Sequence, residues 1–428
     1  MHCVRVVIRR STCVPIRLPL RCRFRLNGTL AYPENPADPE ITDIRAALAA
    51  PHPRNNVPPS IAARVGARLH LRTDHPLGQL KLLLQHYFES GDAGAAPKGS
   101  NERFETFDRL SPLVTVRQNF DDLLTPLDHV SRAPSDTYYV DDSRLLRCHM
   151  TAHQADLIRA GRSAWLMIGD VYRRDEVDAT HYPVFHQVDG VRVWGPDELP
   201  LHASTSVEAK TEFIMADLRA TLEGLVRAIF GDVPCRWVPA TFPFTDPSLE
   251  LEILYEGRWL EVLGCGAVRT DILQRCGRPS GSAGWAFGMG LERLAMVRYS
   301  IPDIRLFWSE DPRFLGQFAK STAGDALASP VSFVPYSKYP PCYKDITFWL
   351  PIHFHENDLH SLVRDVAGDL VESVTRVDAF THPITGRVSH CYRINYRSMD
   401  RNLTNEEVDI LQLRVRAQVS SALGAELR

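Results

Sequence analysis

No stretch of this 428-residue chain reaches the roughly 18 consecutive apolar residues that a membrane-crossing helix needs, because Arg, Asp or Pro interrupts the longest candidates. A helical membrane span is therefore excluded, and no membrane partner is expected. The nine cysteines include no CxxC pair and stand far apart. That spacing argues against a zinc ribbon or a disulfide framework and for reduced thiols. His355-Glu356-Asn357-Asp358-Leu359-His360 approaches a zinc-protease helix, but its second histidine comes one residue too late to share a face with the first. It reads instead as the polar start of a helix. Neither a G-x-x-x-x-G-K-S/T loop nor a G-x-G-x-x-G turn after a strand is present. An enzyme of this sequence that uses a nucleotide must hold the phosphates with side chains.

The first 26 residues contain no acid and no lysine but seven arginines, and the first acidic residue is Glu34. An Arg-rich, acid-free start fits an organelle transit segment over residues 1–30, addressed to the mitochondrial matrix or another organelle. The competing reading is a basic arm without fixed structure. Without those seven positive charges the formal net charge moves from −3 to −10, so any RNA must be held by local patches rather than by a global field.

What is present is ordinary globular material: 44% hydrophobic and 24% charged residues, enough for two or three domains. Residues 31–69, rich in Pro and Asn, read as a linker. Leu77, Leu80, Leu84 and Tyr87-Phe88 after Pro76 predict an amphipathic helix, with Pro76 at its first position. Short strand-like runs and a long helix over 207–229 follow. Alternating runs on either side of Glu256-Gly257 predict a hairpin. The middle of the chain is thus an antiparallel sheet flanked by helices, an α+β fold over residues 70–320. Residues 321–337 read as a second linker. Residues 338–428 run strand, helix, strand, strand, helix, the split βαβ order of ferredoxin-like domains, with a capping box at Thr404-Asn405-Glu406-Glu407.

Three constellations carry chemistry. Arg173 and Arg174 end a strand and precede Asp175, His181 and Phe185. Arginine can grip a phosphate bidentately, an acid can orient it or hold a cation, and an aromatic ring can stack on a base. Solvated loop charges are the plainer reading of that cluster. Phe242-Pro243-Phe244 can line an apolar pocket or form a core turn. Gly264-Cys265-Gly266 and the glycine-spaced run 284–290 allow close approach of backbone or ligand. Arg293 just inside a helix start gains nothing from the helix dipole, so a salt bridge or a nucleotide must explain it.

In this order the constellations resemble the motifs of class II aminoacyl-tRNA synthetases, most closely the phenylalanine-specific family in its single-chain organellar form. Gly169-Asp-Val-Tyr-Arg-Arg-Asp175 with Thr180–Gln187 is similar to motif 2. Phe242–Ser248 and Trp259–Gly266 resemble the phenylalanine-pocket signatures, and Gly288–Ala295 resembles motif 3. The resemblance implies ATP-dependent ligation of phenylalanine to tRNA(Phe) by a monomer, with Mg2+ as cofactor. It implies that Arg173 binds the α-phosphate, that Asp175 orients Arg173 or holds the metal, and that His181 lies near the pyrophosphate. Phe185 and Arg293 would sandwich adenine. His149, Thr151, Gln154, Gln187 and Asp189 would meet the amino acid's polar groups. Phe242, Phe244, Cys265, Gly266 and Ala286 would surround its ring. Arg387, Arg393, Arg397 and Arg401 of the ferredoxin-like domain would contact tRNA. No separate editing domain is expected. Two departures stand out: Asp189 where the family has Glu, and Met150 where it has Thr. The rival readings are a class II synthetase for another amino acid and a catalytically impaired paralogue that binds tRNA or protein.

Overall fold

In the computed structural model the described residues are 39–89, 104–319, 331–335 and 339–428. The Arg-rich segment 1–30, the loop 91–101 and most of the boundary 318–337 lie outside them.

The linker expected over residues 31–69 is corrected from residue 39 onward. Ile41, Ile44 and Leu48 recur at helical spacing and bury one face of α1 (Pro39–Ala49), and Ile61, Val65 and Leu69 follow them into the core around α2 (Pro59–Ala62). Pro and Asn are frequent there, but the large apolar residues fall on one stripe and decide the outcome. Next comes α3 (Pro76–Glu89), which buries Leu77, Leu80, Leu83 and Leu84.

The central sheet contains β1 (Glu105–Phe107), β4 (Ala164–Tyr172), β5 (Val184–Trp194), β6 (Cys235–Phe242), β7 (Thr245–Tyr255), β8 (Arg258–Val268) and β9 (Ala283–Gly290), in the order β1-β4-β5-β9-β8-β7-β6. Only β1, which pairs parallel with β4, breaks the antiparallel pattern. A small ladder of β2 (Leu113–Thr115) and β3 (Arg144–Leu146) precedes it, with α4 (Val116–Asn119) and α5 (Gln154–Arg159) alongside. The β7–β8 turn is Glu256-Gly257 with φ of 48° and 77°, the left-handed pair that a two-residue hairpin requires. One face of the sheet is covered by α3, α6 (Val207–Phe230) and α8 (Leu291–Tyr299). In α6 the stripe Ile214, Leu218, Leu222 and Leu225 is buried, as its spacing predicts. The short helices α7 (Thr270–Arg275) and α9 (Pro312–Phe318) complete this part.

The C-terminal part comprises β10 (Cys342–Trp349), α10 (Glu356–Ala367), β11 (Val371–Thr381), β12 (Val388–Tyr396), α11 (Asn405–Ala422) and β13 (Glu426–Leu427). Its sheet runs β11-β12-β10-β13 over a core of its own. Both halves of the Thr404/Glu407 capping box form, and His355 caps α10 by accepting from Asn357 N–H. No helix among the described residues is long and apolar enough to cross a membrane.

Candidate active site

Alternation along β5 sends Phe185, Gln187 and Asp189 to one face of the sheet and His186 and Val188 to the other. Across that first face the register sets Asp189 opposite Gly288, and Gly288 opposite Gly264. Both glycines are hollows that side chains from neighbouring strands use. A Cβ on Gly288 would stand 3.0 Å from Asp189 Oδ1, and one on Gly264 would stand 2.7 Å from Phe242 Cζ. A cavity of about 530 Å³ opens over this row.

The cavity gathers most of the residues expected from sequence: His149, Thr151, Gln154, Arg173, Asp175, Gln187, Asp189, Phe242, Phe244, Cys265 and Ala286. Phe242 and Phe244 lie parallel, centroids 6.0 Å apart, on one wall. Polar groups line the deep end. Thr151 Oγ donates to Asp189 Oδ2 at 2.6 Å, while Asp189 Oδ1 has no partner. The amide of Gln154 and Nδ1 of His149 are likewise buried and unpartnered. Orphaned polar atoms gathered at one cavity are places where a ligand's own groups belong. Burial pushes the Asp189 carboxyl up to about 7. Burial, reinforced by the Arg173 charge, holds the His149 imidazole neutral, near 3.

Met150 does not reach the cavity. Its side chain is fully buried in an apolar cluster, and its N–H donates to Gln187 Oε1 at 3.3 Å. The departure at Met150 therefore leaves the polar contacts to Thr151 and its neighbours.

Several expectations need correction. The bond that orients Arg173 runs from its Nε to Cys148 O, 2.7 Å away, and not to Asp175. His181 pairs with Asp178 at 2.7 Å and stands outside the cavity wall; that hydrogen bond raises its pKa. A metal-like trio does occur nearby, but it is Glu176, Asp178 and His181, without Asp175. Gly266 is covered by Pro247 O and Thr245, so the glycine of the wall is Gly264, two residues earlier on the same face. Arg293 is half exposed, 3.7 Å from Glu261, and also lies outside the wall.

Phe185, like Arg293, lies outside the cavity wall, and the two are linked through their chain neighbours. Arg173 lies over the Phe185 ring at 5.3 Å. The β5–β9 ladder ends at Gln187 opposite Gly290, and beyond it the carboxylate of Glu292 replaces the missing strand. Glu292 accepts from His186 N–H at 2.8 Å and from the His186 ring at 2.7 Å, both residues being fully buried. Phe185 and Arg293 are each one residue from this clamp. Sequence reading missed Glu292 and the buried Arg147–Asp170 pair, 2.7 Å long. The signal for Glu292 was a carboxylate in the first turn of a helix, where the dipole favours it.

In the C-terminal domain the four arginines do not form one patch. Arg393 pairs with Asp345 at 2.8 and 2.9 Å and covers Tyr343. Arg387 pairs with Glu426 and Arg401 with Glu407. Alternation along β12 would set Arg397 on the face of Arg393 and Asn395 if the strand continued to it. It falls past the end of β12, pairs with Glu372, and its carbonyl accepts from Arg305 at the seam with the catalytic part.

Comparison with known proteins fits this architecture. Residues 103–318 match the family model of the class II tRNA synthetase core domain (F), and residues 337–428 match the ferredoxin-fold anticodon binding domain. The chain is 52% identical to the chloroplastic/mitochondrial phenylalanine–tRNA ligase of Arabidopsis thaliana, covering 88% of this chain and 83% of that one. It is 45% identical to the mitochondrial enzyme of Dictyostelium discoideum (87% and 89% covered) and 38% identical to that of Saccharomyces cerevisiae (95% and 97%). With two matched domains, an antiparallel sheet flanked by helices and relatives this similar over most of their length, the chain belongs to the phenylalanine–tRNA ligase family of class II aminoacyl-tRNA synthetases.

Proposed function

We propose that this protein ligates phenylalanine to tRNA(Phe) through a phenylalanyl-adenylate, for protein synthesis in the mitochondrial matrix or another organelle, as a single chain. One observation carries the reading: an apolar slot between Phe242, Phe244 and Ala286 that ends in the unpartnered polar atoms of His149, Gln154 and Asp189. A benzyl group fills the slot without leaving a buried polar atom unpaired, and an ammonium and a carboxylate satisfy the far end.

In the first step a carboxylate oxygen of phenylalanine attacks the α-phosphorus of ATP, and the bond to pyrophosphate breaks. Arg173, fixed by Cys148 O, meets the charge on the α-phosphate. Phe185 and Arg293 hold adenine between them, at a spacing kept by the Glu292 clamp. Asp189 and Gln187 hold the ammonium, so the carboxylate faces the phosphate before reaction begins. Asp175 and Glu261 are cavity carboxylates whose hard oxygens suit Mg2+, which when bound offsets phosphate charge. In the second step the 2′-hydroxyl of the terminal adenosine attacks the activated carbonyl, and AMP leaves.

ATP–pyrophosphate exchange measured across the twenty amino acids tests the proposal. Strong exchange with phenylalanine, a weak response to tyrosine and none to the other amino acids are expected. No exchange with any amino acid would favour the impaired paralogue, and exchange with a polar amino acid would favour another specificity.

A further inference from the structure

A loop that turns its backbone away from water must find a partner for each polar group. The loop from Arg173 to Tyr182 divides that task unevenly. Its base is closed within the catalytic part: Arg173 N–H donates to Pro183 O at 3.0 Å and Arg174 N–H to Asp136 O at 2.9 Å. Its far end is braced locally. Asp178 accepts from the backbone of Thr180 and His181, and Ala179 O accepts from Ile304 N–H at 2.8 Å. The stretch between is held by the C-terminal domain. Asn357 Nδ2 donates to Arg174 O at 3.3 Å, and Arg364 donates to Asp175 O at 3.4 Å and to Glu176 O at 2.8 Å. His360 Nδ1 accepts from Val177 N–H at 2.9 Å, and Val374 N–H donates to Val177 O at 2.9 Å. The Arg174 guanidinium pairs with Asp358 at 3.0 Å. Most telling is the Val177 side chain. It is 4% exposed and belongs to the hydrophobic core of the C-terminal domain. Burial and the neighbouring Arg364 hold the His360 imidazole down at about 4, so its Nδ1 is available to accept.

We propose that His360, Arg364 and Val177 are positioning residues for adenylate formation: the C-terminal domain fixes the shape of the loop that carries Arg173 and His181. A loop anchored at four consecutive residues has little freedom left to lose when the guanidinium closes on a phosphate. The chemistry of the first step then depends on a domain that touches neither ATP nor phenylalanine. The inference rests on the reading that Arg173 serves ATP.

The test uses the full chain and phenylalanine-dependent pyrophosphate exchange without tRNA. His360→Phe keeps a ring but removes the acceptor, and Arg364→Met keeps the stem but removes the donors. Each is expected to raise KM for ATP roughly tenfold, the size of effect that follows when a buried backbone group loses its partner, with KM for phenylalanine nearly unchanged. His360→Asn, which restores an acceptor close to Nδ1, should recover most of the loss. Val177→Ala, which removes no hydrogen bond, should give the same split in smaller measure. Arg173→Ala, run alongside, examines the ATP reading itself. If that variant loses activation while His360→Phe, Arg364→Met and Val177→Ala keep the wild-type KM for ATP, the positioning role is overturned. A parallel rise of both KM values, unrelieved by His360→Asn, overturns it as well. An Arg173→Ala enzyme with unchanged ATP kinetics sinks the underlying reading instead.

Discussion

Asp189 condenses the residue-scale argument. It is buried, it keeps one oxygen free, and its carboxyl titrates near 7 because burial disfavours the charge. The ionised form is the one that attracts an ammonium, and it gains population as pH rises through 7. Phenylalanine stays an ammonium over that range, so its KM should fall between about pH 6 and pH 8, then level off. Pyrophosphate exchange across that range checks the trend. Asp189→Asn should flatten the profile and raise KM roughly 10- to 100-fold, the range expected for loss of a charged hydrogen bond. Ala286 is the second decisive residue, set between Val191 and Gly266 in the sheet register at the slot. Ala286→Gly should admit para-halogenated phenylalanine, improving its kcat/KM by roughly tenfold, since one methyl-sized volume is worth about that much discrimination. Unchanged discrimination in the exchange assay would remove Ala286 from the slot.

Elements of this protein obey local rules wherever the rules are strong. The Glu256-Gly257 turn, the Thr404 capping box and the stripe on α6 were all legible, because each is fixed by residues within one or two turns of chain. Thr404→Ala should therefore lower stability by about 1 kcal/mol, seen as a shift of the urea midpoint. The glycines on β8 and β9 were legible as a pattern but not in their roles. Gly264 and Gly266 share a face by parity, yet Phe242 lies over the first and the Pro247 carbonyl covers the second. Irregular pairing of β7 with β8 between Thr245 and Ser248 separates their fates. Gly264→Ala should drive Phe242 from its seat and raise KM for phenylalanine far more than KM for ATP. A uniform loss of both would contradict that placement.

At the scale of the whole molecule, the two parts meet along a polar seam. Buried Arg305 binds Asp303 and the carbonyls of Asp369 and Arg397, while Arg64 pairs with Asp369 at 2.9 Å. Arg397 is thus a poor probe of RNA binding, since a change there disturbs the seam. Arg393 is the cleaner one. Its partner Asp345 is exposed, and such a pair adds little to stability. Arg393→Glu should weaken tRNA charging in a salt-dependent way while phenylalanine activation keeps its rate. The apolar slot also sets a limit for the assembly as a whole. One added hydroxyl is rejected by only about a hundredfold, so some tyrosyl-tRNA should form and persist. Hydrolysis of that product by the enzyme, faster than in buffer, would count against the expectation.

Family, the two-domain order, the α+β class and the chemistry-bearing residues of the cavity, from Arg173 to the Phe242–Phe244 pair, followed from sequence alone, because each was written in a short word or a short period. What only the tertiary structure decided lies between words far apart in the chain. It showed that α1 and α2 bury their apolar residues in the core, that Glu292 ties motif 3 to motif 2, that Arg397 lies in a seam, and that Val177 plugs the core of a domain almost two hundred residues away. Periodicity and propensity act over a few residues, whereas those contacts depend on how finished elements dock, and no local rule carries that information.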